Sequence, residues 1–254
     1  MGISDLIPGV SGGTIAFILG IYDRLLSSIN GFFSREWKKQ LGFLVPLGAG
    51  IGIALLLFSR VIDYLLEHHY EPTQFFFLGL IIGVLPFIAK EAEMKQRFTW
   101  IHFSVLAAVA ILLGCMAFIK PLDTAIITTL TVPSAIGLFF SGWLASMAML
   151  MPGISGSFVL LLLGVYSTII SALSDFNLPI IIVVGAGAAI GFIVSSRAIS
   201  HLLRHHRHIT YAVIIGLIIG SVFVVYPGIP DQGIWISAVT FLAGFWITNF
   251  FSRV

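Results

Sequence analysis

Long apolar runs separated by short polar links set the plan of this chain. Apolar segments occupy about 41–58, 74–90, 100–119, 132–150, 154–173, 178–195, 210–226 and 233–251. A helix needs about 20 such residues to cross a hydrocarbon core. The runs do not alternate in polarity, as the strands of a membrane barrel would. The pattern therefore predicts an all-α polytopic membrane protein, with polar links at 30–40, 59–73, 90–99, 120–131, 174–177, 196–209 and 227–232.

Two breaks interrupt this pattern. Pro8-Gly9-Val10-Ser11-Gly12-Gly13-Thr14 returns as Pro152-Gly153-Ile154-Ser155-Gly156-Ser157. Proline removes a backbone donor and glycine leaves the chain free to turn. After each break comes a serine able to cap a new helix, then an apolar run ending in Leu19-Gly20-Ile21-Tyr22 or Leu163-Gly164-Val165-Tyr166. Broken backbone at membrane depth is tolerated where it surrounds a site.

The duplication extends further. The stretch from Ser59 to His69 returns from Ser196 to His206, and Gly79-Leu80-Ile81-Ile82-Gly83 returns unchanged from Gly216 to Gly220. Gly48-Ala49-Gly50 returns as Gly185-Ala186-Gly187. These matches share an offset of 137, against 144 for the Pro-Gly motifs, and the shorter link at 174–177 accounts for the difference. Ordered matches in nearly constant register signal an internal repeat. The chain reads as a single transmembrane domain over 1–254, with repeat one at about 1–120 and repeat two at about 132–254.

Loop charge orients the halves. The link 59–73 holds Arg60 against Asp63, Glu67 and Glu71, whereas 196–209 holds Arg197, Arg204 and Arg207 and no acid. Lysine and arginine gather on the cytoplasmic side, so equivalent links face opposite sides. That is an inverted-topology repeat. It places 30–40, 90–99 and 196–209 inside, and 59–73, 120–131, 174–177 and 227–232 outside. Each Pro-Gly-x-Ser-Gly motif then sits in a re-entrant hairpin; the ten residues from Gly12 to Tyr22 would make about 15 Å of helix. Full crossing of 132–150 and 154–173 gives the same sidedness. A whole apolar arm precedes the second break but only Met1 to Ile7 precede the first, which predicts a natural start upstream.

Composition agrees with a bilayer setting, at 58% hydrophobic and 9% charged residues, against roughly a quarter charged in soluble domains. The lone cysteine, Cys115, has no partner for an intramolecular disulfide. The N-terminus lacks a signal-peptide pattern.

Opposed hairpins would bring two helix N-termini together with hydroxyls from Ser11, Thr14, Ser155 and Ser157. Unpaired N–H groups and dipole ends of this kind hold anions. Gly12, Gly13 and Gly156 would let a phosphate approach the backbone; their plainer role is tight helix packing. Arg60 and Arg197 occupy equivalent places and either snorkel to headgroups or turn inward to a phosphate. Arg24 beside Asp23 reads as an interfacial ion pair. Asp5 is a possible coupling acid or simply a terminal polar residue. The histidines at 68, 69, 201, 205, 206 and 208 read as solvated, titratable groups and not as a metal site. Glycines 48, 50, 185 and 187 read as packing positions. No nucleophile–base pair, Walker loop or dinucleotide fingerprint is present, so neither enzyme chemistry nor a cofactor is expected.

From Asp5 through Thr14, continuing to Gly20-Ile21-Tyr22-Asp23-Arg24, the chain resembles the bacterial polyprenyl-phosphate transporter family, formerly a domain of unknown function. The stretch from Met151 to Ser157 resembles the family's second signature. The resemblance covers essentially the whole chain, though members usually carry another apolar stretch before the first motif. It implies a flippase that returns undecaprenyl phosphate across the bacterial cytoplasmic (inner) membrane, recycling the carrier of cell-wall synthesis, with both Ser-Gly motifs at the translocation site. Its partners would be a polyprenyl-phosphate lipid and the membrane, not nucleic acid. A small-anion channel or exchanger could use the same opposed helix ends. An intramembrane lipid phosphatase would need phosphoryl-transfer motifs that the sequence does not show.

Overall fold

The computed structural model describes residues 1–5, 11–32, 34, 37–116, 118, 127, 129–229 and 234–251. Among them there is no strand. The helices are α1 (Gly2–Asp5), α2 (Gly12–Ile18), α3 (Tyr22–Phe32), α4 (Trp37–His68), α5 (Tyr70–Glu91), α6 (Met94–Arg97) and α7 (Trp100–Met116). They continue as α8 (Val132–Leu150), α9 (Gly156–Leu162), α10 (Tyr166–Ser174), α11 (Leu178–His205), α12 (Arg207–Val225) and α13 (Ile234–Phe251).

Five of the described helices are long and apolar enough to cross a bilayer: Trp37–Phe58 within α4, then α5, α8, α11 and α12. The bent pair α9 and α10, turning by 115°, makes six if it counts as one span. The apolar helices α7 and α13 are shorter. Large apolar side chains lie bare on the outside of the bundle, such as Trp100, Leu56 and Trp235. In water such a surface would aggregate; in lipid it is the ordinary exterior.

Two expectations about the links change. The stretches 59–73 and 196–209 are not loops, because α4 continues to His68 and α11 to His205. Neither stretch contains a glycine to end a helix, and Ile62 and Ile199 within them are buried, giving each helix an inner side. The chain turns only at His69 and His206. Arg60 and Arg197 therefore stand on long helices and do not open polar links.

Six helices pack closely in pairs, α5 on α13, α12 on α7 and α11 on α8. The repeated glycines make these approaches possible. A Cβ on Gly79 would run into the Phe241 carbonyl of α13, and one on Gly83 would lie 3.0 Å from the Phe245 oxygen. Gly216 and Gly220 play the same part against α7, at 2.6 Å from the Leu106 oxygen and 2.8 Å from Leu113 Cβ. The packing expected of glycines 48, 50, 185 and 187 holds only for Gly187, which closes on the Phe139 carbonyl; the other three face open space.

One apolar cluster spans both halves and includes Ala16, Leu26, Val84, Ile88, Ile215 and Ile218. Polar clips gather the links at one of its ends. Arg207 Nη2 donates to Glu91 Oε1 at 2.7 Å, and Asn30 Nδ2 donates to Ser200 Oγ at 3.0 Å. The start of α12 thus meets the end of α5, while α3 meets the end of α11. At the other end of α5 and α12, Phe75 lies edge-on to Tyr226. The turns at His69 and His206 accordingly lie at opposite ends of the bundle.

Candidate functional site

The two motifs meet. Ser11 is extended, at φ −108° and ψ 133°, and caps α2 by accepting from Gly13 N at 3.1 Å. Its own hydroxyl donates to the Met151 carbonyl at 3.3 Å. One turn on, Thr14 Oγ1 accepts from Gly153 N at 3.0 Å. At the start of α3, the Tyr22 hydroxyl donates to the Leu150 carbonyl at 2.8 Å. The end of α8 would otherwise leave carbonyls unpaired in an apolar setting; here Tyr22 and Ser11 satisfy those of Leu150 and Met151. Tyr22 is buried and its ring stacks on Phe17, which holds the hydroxyl on the Leu150 carbonyl.

The second motif is less committed. Ser155 is also extended, at φ −92° and ψ 136°, but its side chain makes no cap bond to α9. Instead its hydroxyl pairs with Ser157 Oγ at 2.7 Å. Ser11, Ser155, Gly156 and Ser157 line one small cavity of about 210 Å³, walled by Ala145 and Met149 of α8. Three hydroxyls from two halves of the chain thus converge on one cavity.

Both short helices end alike. Gly20 N donates to the Phe17 oxygen at 3.0 Å and Ile21 N to the Ala16 oxygen at 2.9 Å. Gly164 N donates to the Leu161 oxygen at 2.9 Å and Val165 N to the Leu160 oxygen at 3.0 Å. This paired pattern needs a left-handed residue, and glycine supplies it at φ +64° and +71°. As a result α2 and α9 are seven residues each, about 10 Å long. The continuous 15 Å helix expected from Gly12 to Tyr22 is not formed, because Gly20 closes it first.

The candidate glycines lie against helix α8. A Cβ on Gly13 would sit 3.2 Å from the Met149 oxygen and 3.3 Å from the Leu150 oxygen. One on Gly156 would meet Met149 Cγ at 2.6 Å and the Ala145 oxygen at 2.9 Å. Gly12 and Gly13 also line an apolar groove of about 440 Å³ with Leu25, Leu47 and Phe192.

The remaining candidates lie elsewhere. Thr14 is buried, with its oxygen engaged by Gly153. Arg60 is exposed on α4. Arg197 is exposed on α11 and lines a polar pocket with Asn30, Ser200, His201, Arg204 and His205. Asp5 ends α1, and its side chain lies outside the described residues, as do Pro8, Gly9 and Val10. Arg24 does not pair with Asp23; its guanidinium lies 4.8 Å from the centre of the Phe43 ring. His68 stacks on Tyr64 and His201 on His205. No group of three metal-ligating side chains occurs among the described residues.

Two contributors, Tyr22 and Asn30, are not among the sequence candidates. Tyr22 carried a signal, its place in the repeated Leu-Gly-x-Tyr. Asn30 carried none: its amide oxygen accepts from Ser196 Oγ at 2.8 Å, a contact across 166 residues.

Comparison with known proteins places this architecture. Residues 1–238 match the family described as undecaprenyl phosphate translocase-like. A polyprenyl-phosphate transporter of Staphylococcus aureus (strain NCTC 8325 / PS 47) is 43% identical over 265 residues, covering 100% of this chain and 93% of the relative. A polyprenyl-phosphate transporter of Vibrio cholerae serotype O1 is 37% identical over 242 residues, covering 89% of this chain and 75% of the relative. No solved structure matches. The chain belongs to the undecaprenyl phosphate translocase-like family and is a multi-pass membrane protein.

Proposed function

We propose that this chain is a flippase that carries polyprenyl phosphate, in the form of undecaprenyl phosphate, across the bacterial cytoplasmic membrane to recycle the envelope lipid carrier. The observation that carries the reading is the cavity where hydroxyls of Ser11, Ser155 and Ser157 converge. A phosphate crossing hydrocarbon needs donors at depth, because an unpaired charge there is costly. Hydroxyls and backbone N–H groups supply them without a fixed cation, which would hold the anion too tightly to release it. Gly12, Gly13, Thr14 and Gly156 shape this site: Thr14 fixes the Gly153 peptide, and the glycines let α2 and α9 approach α8. Asp5 is the candidate coupling acid. No bond is made or broken in this scheme, so the protein acts as a carrier and not an enzyme.

In this reading the halves are inverted repeats and each Ser-Gly motif belongs to a re-entrant hairpin. Support comes from the equal lengths and endings of α2 and α9, the 115° bend between α9 and α10, and the exchanged pairing of α5 with α13 and α12 with α7. Arg60 and Arg197 would act at the two headgroup levels, outside the central cavity. The deciding experiment reconstitutes the purified protein in liposomes with labelled prenyl phosphate and, separately, a small labelled anion. Translocation of the lipid alone is expected. Passage of the small anion without the lipid would replace the flippase by a channel or exchanger. A topology test accompanies it: cysteines near His69 should react with an impermeant thiol reagent from outside, and cysteines near His206 only after the membrane is opened. Labelling of both from one side would remove the inverted repeat.

A further inference from the structure

A second polar feature lies at the end of the bundle that holds the His206 turn. A cleft of about 430 Å³ opens between α3, the end of α5, the end of α11 and the start of α12. Arg24, Arg204 and Arg207 line it, each from a different helix. Two carboxylates, Asp23 and Glu91, share the cleft. Glu91 is occupied, since Arg207 Nη2 donates to both its Oε1 and its backbone oxygen.

The other two arginines form no ion pair with any described residue. The Arg24 guanidinium carbon stands 4.8 Å from the centre of the Phe43 ring, a cation–π contact that uses the ring face and no hydrogen-bond acceptor. Ser200 accepts from Asn30 Nδ2 and keeps its own proton to donate. Ser200 and Arg204 are also shared with the adjoining pocket of about 270 Å³ that holds Arg197. The cations therefore form one continuous groove.

The internal repeat offers a built-in comparison. The positions equivalent to Arg24, Arg204 and Arg207 are Thr168, Glu67 and Tyr70. None is a cation, so the basic cleft is not a by-product of the shared scaffold. It also lies close to the motifs, because Asp23 and Arg24 follow Tyr22, whose hydroxyl holds the Leu150 carbonyl beside Met149 of the central cavity.

We propose that the Arg24–Arg204–Arg207 cleft binds a terminal phosphate monoester, as a site separate from the Ser11–Ser155–Ser157 cavity. A monoester carries close to two charges and three outer oxygens, enough to engage several planar forks together. A phosphodiester headgroup has one charge and two such oxygens, and it would meet repulsion from Asp23 with less attraction in return. That the monoester is borne on a lipid rests on the transport reading; recognition of the phosphate does not.

The test uses the whole purified chain in phosphatidylcholine nanodiscs and an arginine-selective dicarbonyl, with modification of each arginine followed by peptide mass spectrometry. Farnesyl phosphate, inorganic phosphate, farnesol and phosphatidylglycerol are the probes. Arg97, exposed and paired with Glu93, is the internal reference. At ten times its half-protecting concentration, farnesyl phosphate should slow modification of Arg24 and Arg204 about tenfold and leave Arg97 unchanged. Equal protection by inorganic phosphate would support the site with free phosphate as a sufficient ligand. Protection by farnesyl phosphate alone would support it with a lipid-borne ligand.

Protection by phosphatidylglycerol as strong as by farnesyl phosphate would overturn the proposal in favour of a general headgroup surface, and so would no protection by either phosphate. Arg204→Gln removes an exposed, unpaired side chain, so the fold should persist while protection of Arg24 falls; Arg204→Lys should restore part of it. Liposome translocation is scored separately. Protection without translocation would sink the flippase reading and leave this site standing, and the reverse result would do the opposite.

Discussion

The two Ser-Gly motifs are near copies in sequence and unlike in what their polar groups do. In the first, Ser11 both caps α2 and donates to Met151, while Thr14 accepts from Gly153. In the second, the hydroxyls of Ser155 and Ser157 engage only each other, facing the cavity. One copy is a clasp; the other keeps its two hydroxyls off the backbone, where the transport reading uses them as donors. A duplicated motif can divide structural and binding work, because one half supplies the bonds that hold the other's backbone in place. The sequence difference that permits this is small: Gly13-Thr14 stands where the second copy has Ser157-Phe158.

The comparison is broken most forcefully at Gly153, whose peptide is the object of the clasp. Its φ is +90°, and an added Cβ would stand 2.6 Å from the Leu217 oxygen and 2.7 Å from the Leu217 carbonyl carbon of α12. Left-handed backbone costs an ordinary residue about 1–2 kcal/mol, and a backbone clash adds about 1–3 kcal/mol. Gly153→Ala should therefore lower the thermal midpoint sharply and reduce monodisperse yield. Gly20→Ala is the control, since Gly20 shares the left-handed φ but has nothing within 4 Å. Only the conformational part should be lost there. Equal losses in the two variants would show that the approach to α12 does not constrain the motif.

Next comes the clasp itself. Thr14→Val keeps the shape and leaves the Gly153 N–H buried without its acceptor. An orphaned buried donor costs about 1–3 kcal/mol. The expected result is a clear loss of stability in denaturant or thermal unfolding. A wild-type midpoint would mean that the first motif does not hold the second.

Much of this arrangement was legible in the chain, and the reason is periodicity. Apolar runs of spanning length, two Pro-Gly motifs and the Gly-Leu-Ile-Ile-Gly pairs are local signals, and among the described residues the structure has helices, close helix contacts and the break at Pro152-Gly153 where they stand. Helix ends were harder. Arg60 and Arg197 lie in polar stretches, yet a membrane helix can run on into the headgroup region without a composition change that marks its end. The division of labour between the motifs was not legible either. It depends on which hydroxyl meets which carbonyl across some 140 residues, as with Ser11 and Met151. The basic cleft was scattered among three segments and assembles only when α3, α11 and α12 pack.

The second copy is probed by Ser155→Ala and Ser157→Ala. Neither hydroxyl holds a backbone group among the described bonds, so stability should stay within about 0.5 kcal/mol of the parent. A hydrogen bond to a charged group contributes about 1.5–3 kcal/mol, so each variant should weaken apparent affinity for prenyl phosphate by about tenfold or more. Ser11→Ala should show the opposite balance, with stability falling by about 1 kcal/mol for the lost cap and a smaller change in affinity. Affinity unchanged in both second-motif variants would leave the cavity without a binding role.

The finest test is the pair Tyr22→Phe and Tyr166→Phe, because these residues occupy equivalent places after the left-handed glycines. Tyr22 is buried, stacks on Phe17 with ring centres 3.9 Å apart, and donates to the Leu150 carbonyl. Tyr166 is half-buried, and its hydroxyl makes no hydrogen bond to any described residue. Phenylalanine preserves the ring and the stacking in the first case, so the variant removes only the hydroxyl. The Leu150 carbonyl already accepts nothing from a continuing helix, since Pro152 and Gly153 end α8 within three residues. The loss should be about 1 kcal/mol, read as a shift in unfolding midpoint with no change in slope. Tyr166→Phe should shift it by less than about 0.5 kcal/mol. If the two variants shift equally, Tyr22 contributes through its ring alone, and the clasp reduces to Ser11 and Thr14.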